Sequence, residues 1–246
     1  MFLINNLNYK KNNHMKKIFL KAVYILSIAL MFTGCSLGGL DLQDSFDFES
    51  DVNTTDPFAE MTAWEFIQLK DSIYDEDGVL DSEGFDYLEA AIKVADFEDQ
   101  FDQDTTENRT YLLLDNSAFI GSGDVINVIT GSSIIAEGET PDQVMARADT
   151  AKLKEILRYH IVTTKILQVP TLYNYGVYYT FQTLIDGEDG IICFSRDEKY
   201  NITVNASGSP MPSSATSQYE KVHSHNYVFS NGVGHILADM VRNQPY

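Results

Sequence analysis

The stretch Phe32-Thr33-Gly34-Cys35 reads as a lipobox, and as such it limits what this chain can fold, because everything before Cys35 would be lost from the mature protein. It follows an apolar run, Ile18 to Met31, interrupted by Lys21. That run is shorter than the roughly 20 residues a membrane-spanning helix needs. A basic start, a short apolar core and small residues before a cleavage point describe a signal peptide. The small pair Thr33-Gly34 directly before a cysteine suits a lipoprotein peptidase, with Phe32 where leucine is usual. Residues 1–34 are therefore expected to be a signal peptide whose true start is Met15, and Cys35 a lipidated first residue. The alternative is an uncleaved anchor helix with an incidental cysteine. Two or three acyl chains on one cysteine anchor a protein stably.

Losing residues 1–34 also removes Lys10, Lys11, Lys16, Lys17 and Lys21 from the 17 basic residues. Twelve remain against all 36 acidic ones, a net charge of −24. Phosphate contacts need lysine and arginine, so a nucleic-acid partner is not expected. Anionic lipid head groups would also repel such a surface, which leaves anchoring to the lipid on Cys35. With Cys35 acylated, Cys193 is the remaining cysteine and no intrachain disulfide can form. The fold must then be held by its core. Cys193 lies in the apolar run Ile191-Ile192-Cys193-Phe194 and reads as a small buried hydrophobe.

Residues 35–55 read as the lipidated cysteine and an acidic tether, and residues 56–246 as one folded domain. Thr62 with Glu65 three places on forms a capping box for a helix carrying Trp64, Phe66, Ile67 and Leu69. Asp75 to Gly84 reads as an acidic loop. Phe85, Leu88, Ile92 and Ala95 recur at helical spacing. Glu98 to Glu107 is polar and is expected to be a loop. Tyr111 to Leu114 reads as a buried strand. Thr140 caps a short helix with Pro141 at its first position. Asp149 caps a longer one whose Leu153, Ile156, Leu157 and His160 share a face. After Pro170 the texture turns to strands: Val177 to Ile185, Ile191 to Phe194, Tyr200 to Val204, Tyr227 to Phe229 and Val233 to Leu237. Helices first and strands later argue an α+β fold.

Three segments carry a family likeness. Tyr111-Leu112-Leu113-Leu114-Asp115-Asn116-Ser117-Ala118-Phe119 resembles the first box of fasciclin-type domains, with Leu114 where the family usually has proline. Leu153 to Val162 resembles its helix ending in a Tyr-His pair, here Tyr159-His160. Ser230 to Asp239 resembles its second box, with Gly234 at a position usually bulky and Ala238 at one usually aspartate. Ile202-Thr203-Val204-Asn205 resembles a smaller pattern between them, and Gly121 to Thr140 is a longer insert than a compact member needs. The resemblance implies an α+β fold, a fasciclin-like β-wedge or sandwich with helices packed on it. It also implies an adhesion or binding module that engages a protein or a glycan. With the lipid anchor, this places the protein at the bacterial outer membrane. The cell surface is the expected face, with the periplasmic face open, and an alternative role is accessory subunit of a glycan-uptake or surface complex. The resemblance makes Tyr159, His160, Asn231 and His235 candidate binding residues. For His160 the competing reading is structural, a buried imidazole tying helix to sheet.

Metal readings are weaker. His223 and His225 would share one side of a strand, and His235 could complete a three-ligand site; solvent-facing histidines are the plainer reading. Asp75, Asp77, Asp81 and Glu83 are candidate calcium ligands in a loop without EF-hand spacing, the alternative being a solvated acidic loop. No G-x-S-x-G, H-E-x-x-H or phosphate loop occurs, so no enzyme and no cofactor is expected beyond the covalent lipid.

Overall fold

The computed structural model describes residues 56–69, 81–104, 108–121, 123–211 and 219–241. The signal segment, Cys35, the tether, Asp75 and Asp77 lie outside them. The described residues belong to one packed unit, 54–246.

Among the described residues, eight strands form two four-stranded sheets. The first holds β1 (Arg109–Leu114), β2 (Ile161–Val162), β7 (Ser224–Phe229) and β8 (Gly232–Leu237), in the order β2-β1-β8-β7. The second holds β3 (Tyr179–Gln182), β4 (Ile191–Arg196), β5 (Ile202–Val204) and β6 (Glu220–Lys221), in that order. The expected α+β class is what the chain adopts, with two open sheets and no closed barrel among the described residues. The sheets meet where Val162 bridges Thr183 and the Thr163 N–H donates to the Gln182 carbonyl at 2.9 Å.

β1 and β8 run parallel in unbroken register from Arg109↔Gly232 to Leu114↔Leu237. Both boxes of the family signature thus lie side by side at the centre of the first sheet. All six residues of β8 and the last five of β1 are buried, as expected of central strands covered on both faces. Gly232 is needed here: a Cβ would stand 2.3 Å from the Arg109 carbonyl. Gly234, the departure in the second box, makes room for Phe229, since its Cβ would lie 2.8 Å from that ring.

Helices cover the sheets. α1 (Ala63–Leu69) starts with the expected capping box: Glu65 N–H donates to Thr62 Oγ1 at 3.2 Å and Thr62 N–H to Glu65 Oε2 at 2.9 Å. α2 (Asp86–Val94) buries Tyr87, Leu88, Ala90, Ala91 and Ile92. Glu98 to Glu107 departs from expectation. It opens with a helical turn, α3 (Glu98–Phe101), because Phe101 is buried and stacks on Tyr111 with ring centroids 5.4 Å apart. α4 (Ser117–Ile120) follows the first box. The insert 121–140 contains α5 (Val125–Thr130), whose Val125, Ile126 and Ile129 join the core. α6 (Pro141–Met145) and α7 (Thr150–Tyr159) are capped by Thr140 and Asp149 as the sequence indicates. Among the described residues no helix is long and apolar enough to cross a membrane.

Candidate functional site

The four residues marked for binding all point inward. Asn231 is buried in the turn between β7 and β8, and its amide meets three backbones. Oδ1 accepts from the Ala63 N–H at 3.1 Å, and Nδ2 donates to the carbonyls of Phe101 at 2.8 Å and Gln103 at 3.0 Å. It therefore ties α1 and α3 to the sheet. Asn116 of the first box does the same work at the other end of β1. Its Oδ1 accepts from Tyr87 N–H at 3.2 Å, and Nδ2 donates to the Asp81 carbonyl and Asp86 Oδ2, each at 2.8 Å.

His160 ends α7. Its Nδ1 donates to the Ile156 carbonyl at 2.8 Å, which leaves Nε2 to accept from the Val241 N–H at 3.3 Å. His235 has the opposite tautomer. Its Nε2 donates to the Ile166 carbonyl at 2.8 Å, and Nδ1 accepts from Asn226 N–H at 3.3 Å. Each ring thus carries one donor and one acceptor and must be neutral. Burial pushes both pKa values down to about 4. Tyr159 donates to the Ile191 carbonyl at 2.8 Å and accepts from Asn205 Nδ2 at 3.0 Å, joining α7 to the second sheet. Asn205 holds a left-handed backbone, φ 52°, and also accepts from Cys193 N–H. All four residues are used internally, and none offers a polar atom to a partner.

The histidines do not converge. The strand begins at Ser224, and an irregularity in pairing between Ser224 and Tyr227, where Asn226 has φ 64°, breaks the expected alternation. His223 lies 3.8 Å from Asp115, His225 meets Gln168 at 2.9 Å, and His235 is spent inside. Among the described residues, no group of three or more His, Cys, Asp or Glu is placed to hold a metal. Of the calcium candidates, Asp81 turns Oδ1 back to accept from the Glu83 N–H at 3.0 Å. Burial raises the pKa of the Cys193 thiol, as in an unreactive core cysteine.

Pattern reading passed over the connection into β3. Tyr173 and Tyr175 are 69% and 65% exposed, and Tyr178 and Tyr200 are also exposed. Arg196 organises this surface. Nε donates to the Leu172 carbonyl at 2.5 Å, a terminal nitrogen donates to the Tyr173 carbonyl, and the guanidinium stacks over Tyr200, 4.5 Å from the ring centre. Asn174 N–H donates to Tyr179 Oη at 3.0 Å, and Tyr178 Oη donates to the Ser207 carbonyl at 2.9 Å. The tyrosines are presented on a backbone held by several hydrogen bonds. β3 continues them beside an open cleft of about 390 Å³ lined by Thr180, Phe181, Gln182, Ile191 and Pro210. The available signal was compositional: five tyrosines between residues 173 and 200, at 173, 175, 178, 179 and 200.

These features define an α+β module whose signature residues staple its helices to two sheets. The sequence profile of the fasciclin domain matches residues 83–242, nearly two thirds of the chain, and the chain belongs to that family. In its homologues this is a cell-adhesion type of module. Among solved structures the chain is similar to the FAS1 domain pair of the insect cell adhesion molecule fasciclin I. Identity is 12% and the TM-score 0.49, over 74% of this chain and 51% of the other. The chain thus spans about half the length of that structure. No curated protein matches.

Proposed function

We propose that this protein is a lipid-anchored binding module of the bacterial outer membrane that engages an extracellular protein or glycan. The observation that carries the reading is the tyrosine-bearing segment 173–178 with Tyr200. Tyrosine offers a large apolar face with a polar tip and few rotatable bonds, so it gives contact area at little ordering cost. Arg196 already holds the backbone beneath it, which lowers that cost further. The lipid anchor expected at Cys35 is part of this reading, because a module that works by binding must be held near its partner.

The test is a screen of the chain against matrix proteins and polysaccharides. A Tyr173→Ala/Tyr175→Ala variant should bind at least tenfold more weakly with its melting temperature unchanged. No binding to either class by the wild type, with hydrolysis of some substrate instead, would refute it. For the anchor, labelling with a fatty-acid analogue should mark the wild type and not Cys35→Ser. An unlabelled wild type that keeps residues 15–34 would make the segment an anchor helix. A stoichiometric membrane partner in a detergent pull-down would favour an accessory subunit of a surface complex.

A further inference from the structure

Asp115 follows β1 and is 2% exposed, yet its Oδ1 accepts no hydrogen bond from any described residue. Its Oδ2 is 3.8 Å from His223 Nδ1, beyond hydrogen-bond distance. The carboxylate lines a cavity of about 60 Å³ together with Glu83, His223, Ser224, Tyr227 and Ile236. Glu83 and His223 are exposed and form its outer part; Ser224 and Tyr227 are half-buried. A buried carboxylate with an idle acceptor is costly unless something pairs with it. Burial holds the Asp115 carboxyl above its ordinary range against the opposing pull of His223 and of Ser117 and Ala118 donors near the carboxylate, while Oδ1 itself stays without a hydrogen bond; Glu220 is raised chiefly by burial, with Asp239 and Asp115 adding to it. No lysine or arginine lines the cavity, and His223 is its one basic group.

We propose that the cavity receives the ammonium group of a lysine side chain from a partner protein. An ammonium carries three donors and no acceptor, and three residues with acceptor oxygens line the space: Asp115, whose Oδ1 is unpartnered, Glu83 and Ser224. Tyr227 and Ile236 supply apolar wall for the methylenes next to the charge. The volume suits the end of an unbranched chain and is too small for the ring of an amino sugar. A phosphate-bearing amine would meet a surface of the same sign. A metal ion would lack a third His, Cys, Asp or Glu ligand among the described residues. Nothing in this site depends on Tyr173 or Tyr175, so failure of the tyrosine face and failure of this pocket are separate results.

The test follows the His223 imidazole by NMR in the full chain at constant ionic strength, adding butylammonium chloride or Nα-acetyl-lysine methylamide. Both should shift the signal saturably and compete with each other. Asp115→Asn should weaken the effect at least tenfold while melting no lower than the wild type, and Glu83→Gln should weaken it as well. Glucosamine and phosphoethanolamine should act at least tenfold more weakly than the lysine derivative. The proposal is overturned if neither lysine mimic saturates, if Asp115→Asn and Glu83→Gln bind as the wild type does, or if glucosamine or phosphoethanolamine matches the lysine derivative. Saturation by calcium chloride with no response to amines would make it a metal site and overturn it equally.

Discussion

Lowering the pH from 7 to 5 is expected to remove about 4 kcal/mol of stability, chiefly through His160 and His235. Both rings are fully buried, each with one nitrogen donating and one accepting, so protonation would break an accepted hydrogen bond and bury a charge. Their folded pKa values are about 4 against an ordinary 6.5. Between these values the unfolded chain binds more protons than the folded one, so stability rises with pH and is lost as pH falls below 6.5. At pH 5 each ring costs about 2 kcal/mol, and at most about 3.4 below pH 4. That is a large share of the roughly 5–15 kcal/mol that holds a typical domain together. Asp115 and Glu220 act in the opposite sense, since their raised carboxyls take up protons first in the folded state. Trp64, the only tryptophan and half-buried in α1, reports unfolding by fluorescence in urea. Titrations at pH 7, 6 and 5 should show the midpoint falling with constant slope. His160→Gln and His235→Gln should each lower stability at pH 7 and halve the pH dependence. A stability at pH 5 within about 1 kcal/mol of that at pH 7 would refute the burial argument.

Asn231→Ala leaves the Ala63 N–H and the carbonyls of Phe101 and Gln103 without their partner, at about 1 kcal/mol each, and should cost about 3 kcal/mol in the same assay. Gly234→Ala puts a Cβ 2.8 Å from the buried Phe229 ring and 3.2 Å from Leu113, and should cost about 1–3 kcal/mol by overpacking. Thr140→Ala removes the cap of α6, which rests on the Gln143 N–H at 3.4 Å, and should cost about 1 kcal/mol.

Elements with a local cause could be read from sequence. The capping box at Thr62, the caps at Thr140 and Asp149 and the apolar face of α7 are written within a few residues, and the structure contains them, adding a full box with Gln143 at Thr140. What failed depends on contacts distant in the chain. The turn at Glu98–Phe101 is polar except for its last residue, and Phe101 finds its stacking partner on Tyr111. The His223–His225 alternation is broken at Asn226, whose positive φ goes with a side chain that accepts from the Gln168 N–H, 58 residues away in sequence. Asp239, one place later than the family pattern sets it, accepts from Asp124 N–H and so ties the insert down from across the fold.

The candidate site was harder to read for a related reason. Motifs stand out when many hydrogen bonds constrain a residue, and in this domain those residues are the ones that assemble it. Asn116 and Asn231 sit near opposite ends of the parallel pair β1 and β8, each clamping helix backbone. Tyr159 and His160 close α7 onto the second sheet and onto Val241. A partner contacting these atoms directly would have to displace core hydrogen bonds, at roughly 1–3 kcal/mol for each group left unpaired. Residues that can meet a partner without that cost are the ones whose side chains the fold leaves exposed. Tyr173 and Tyr175 qualify, since the hydrogen bonds that hold their segment run through backbone atoms, Arg196 and Tyr179. Such positions obey no spacing rule, because nothing in the fold fixes their identity. The exposed tyrosine segment and the Asp115 cavity are the places where a partner would meet uncommitted groups, and the signature boxes are the frame that holds both.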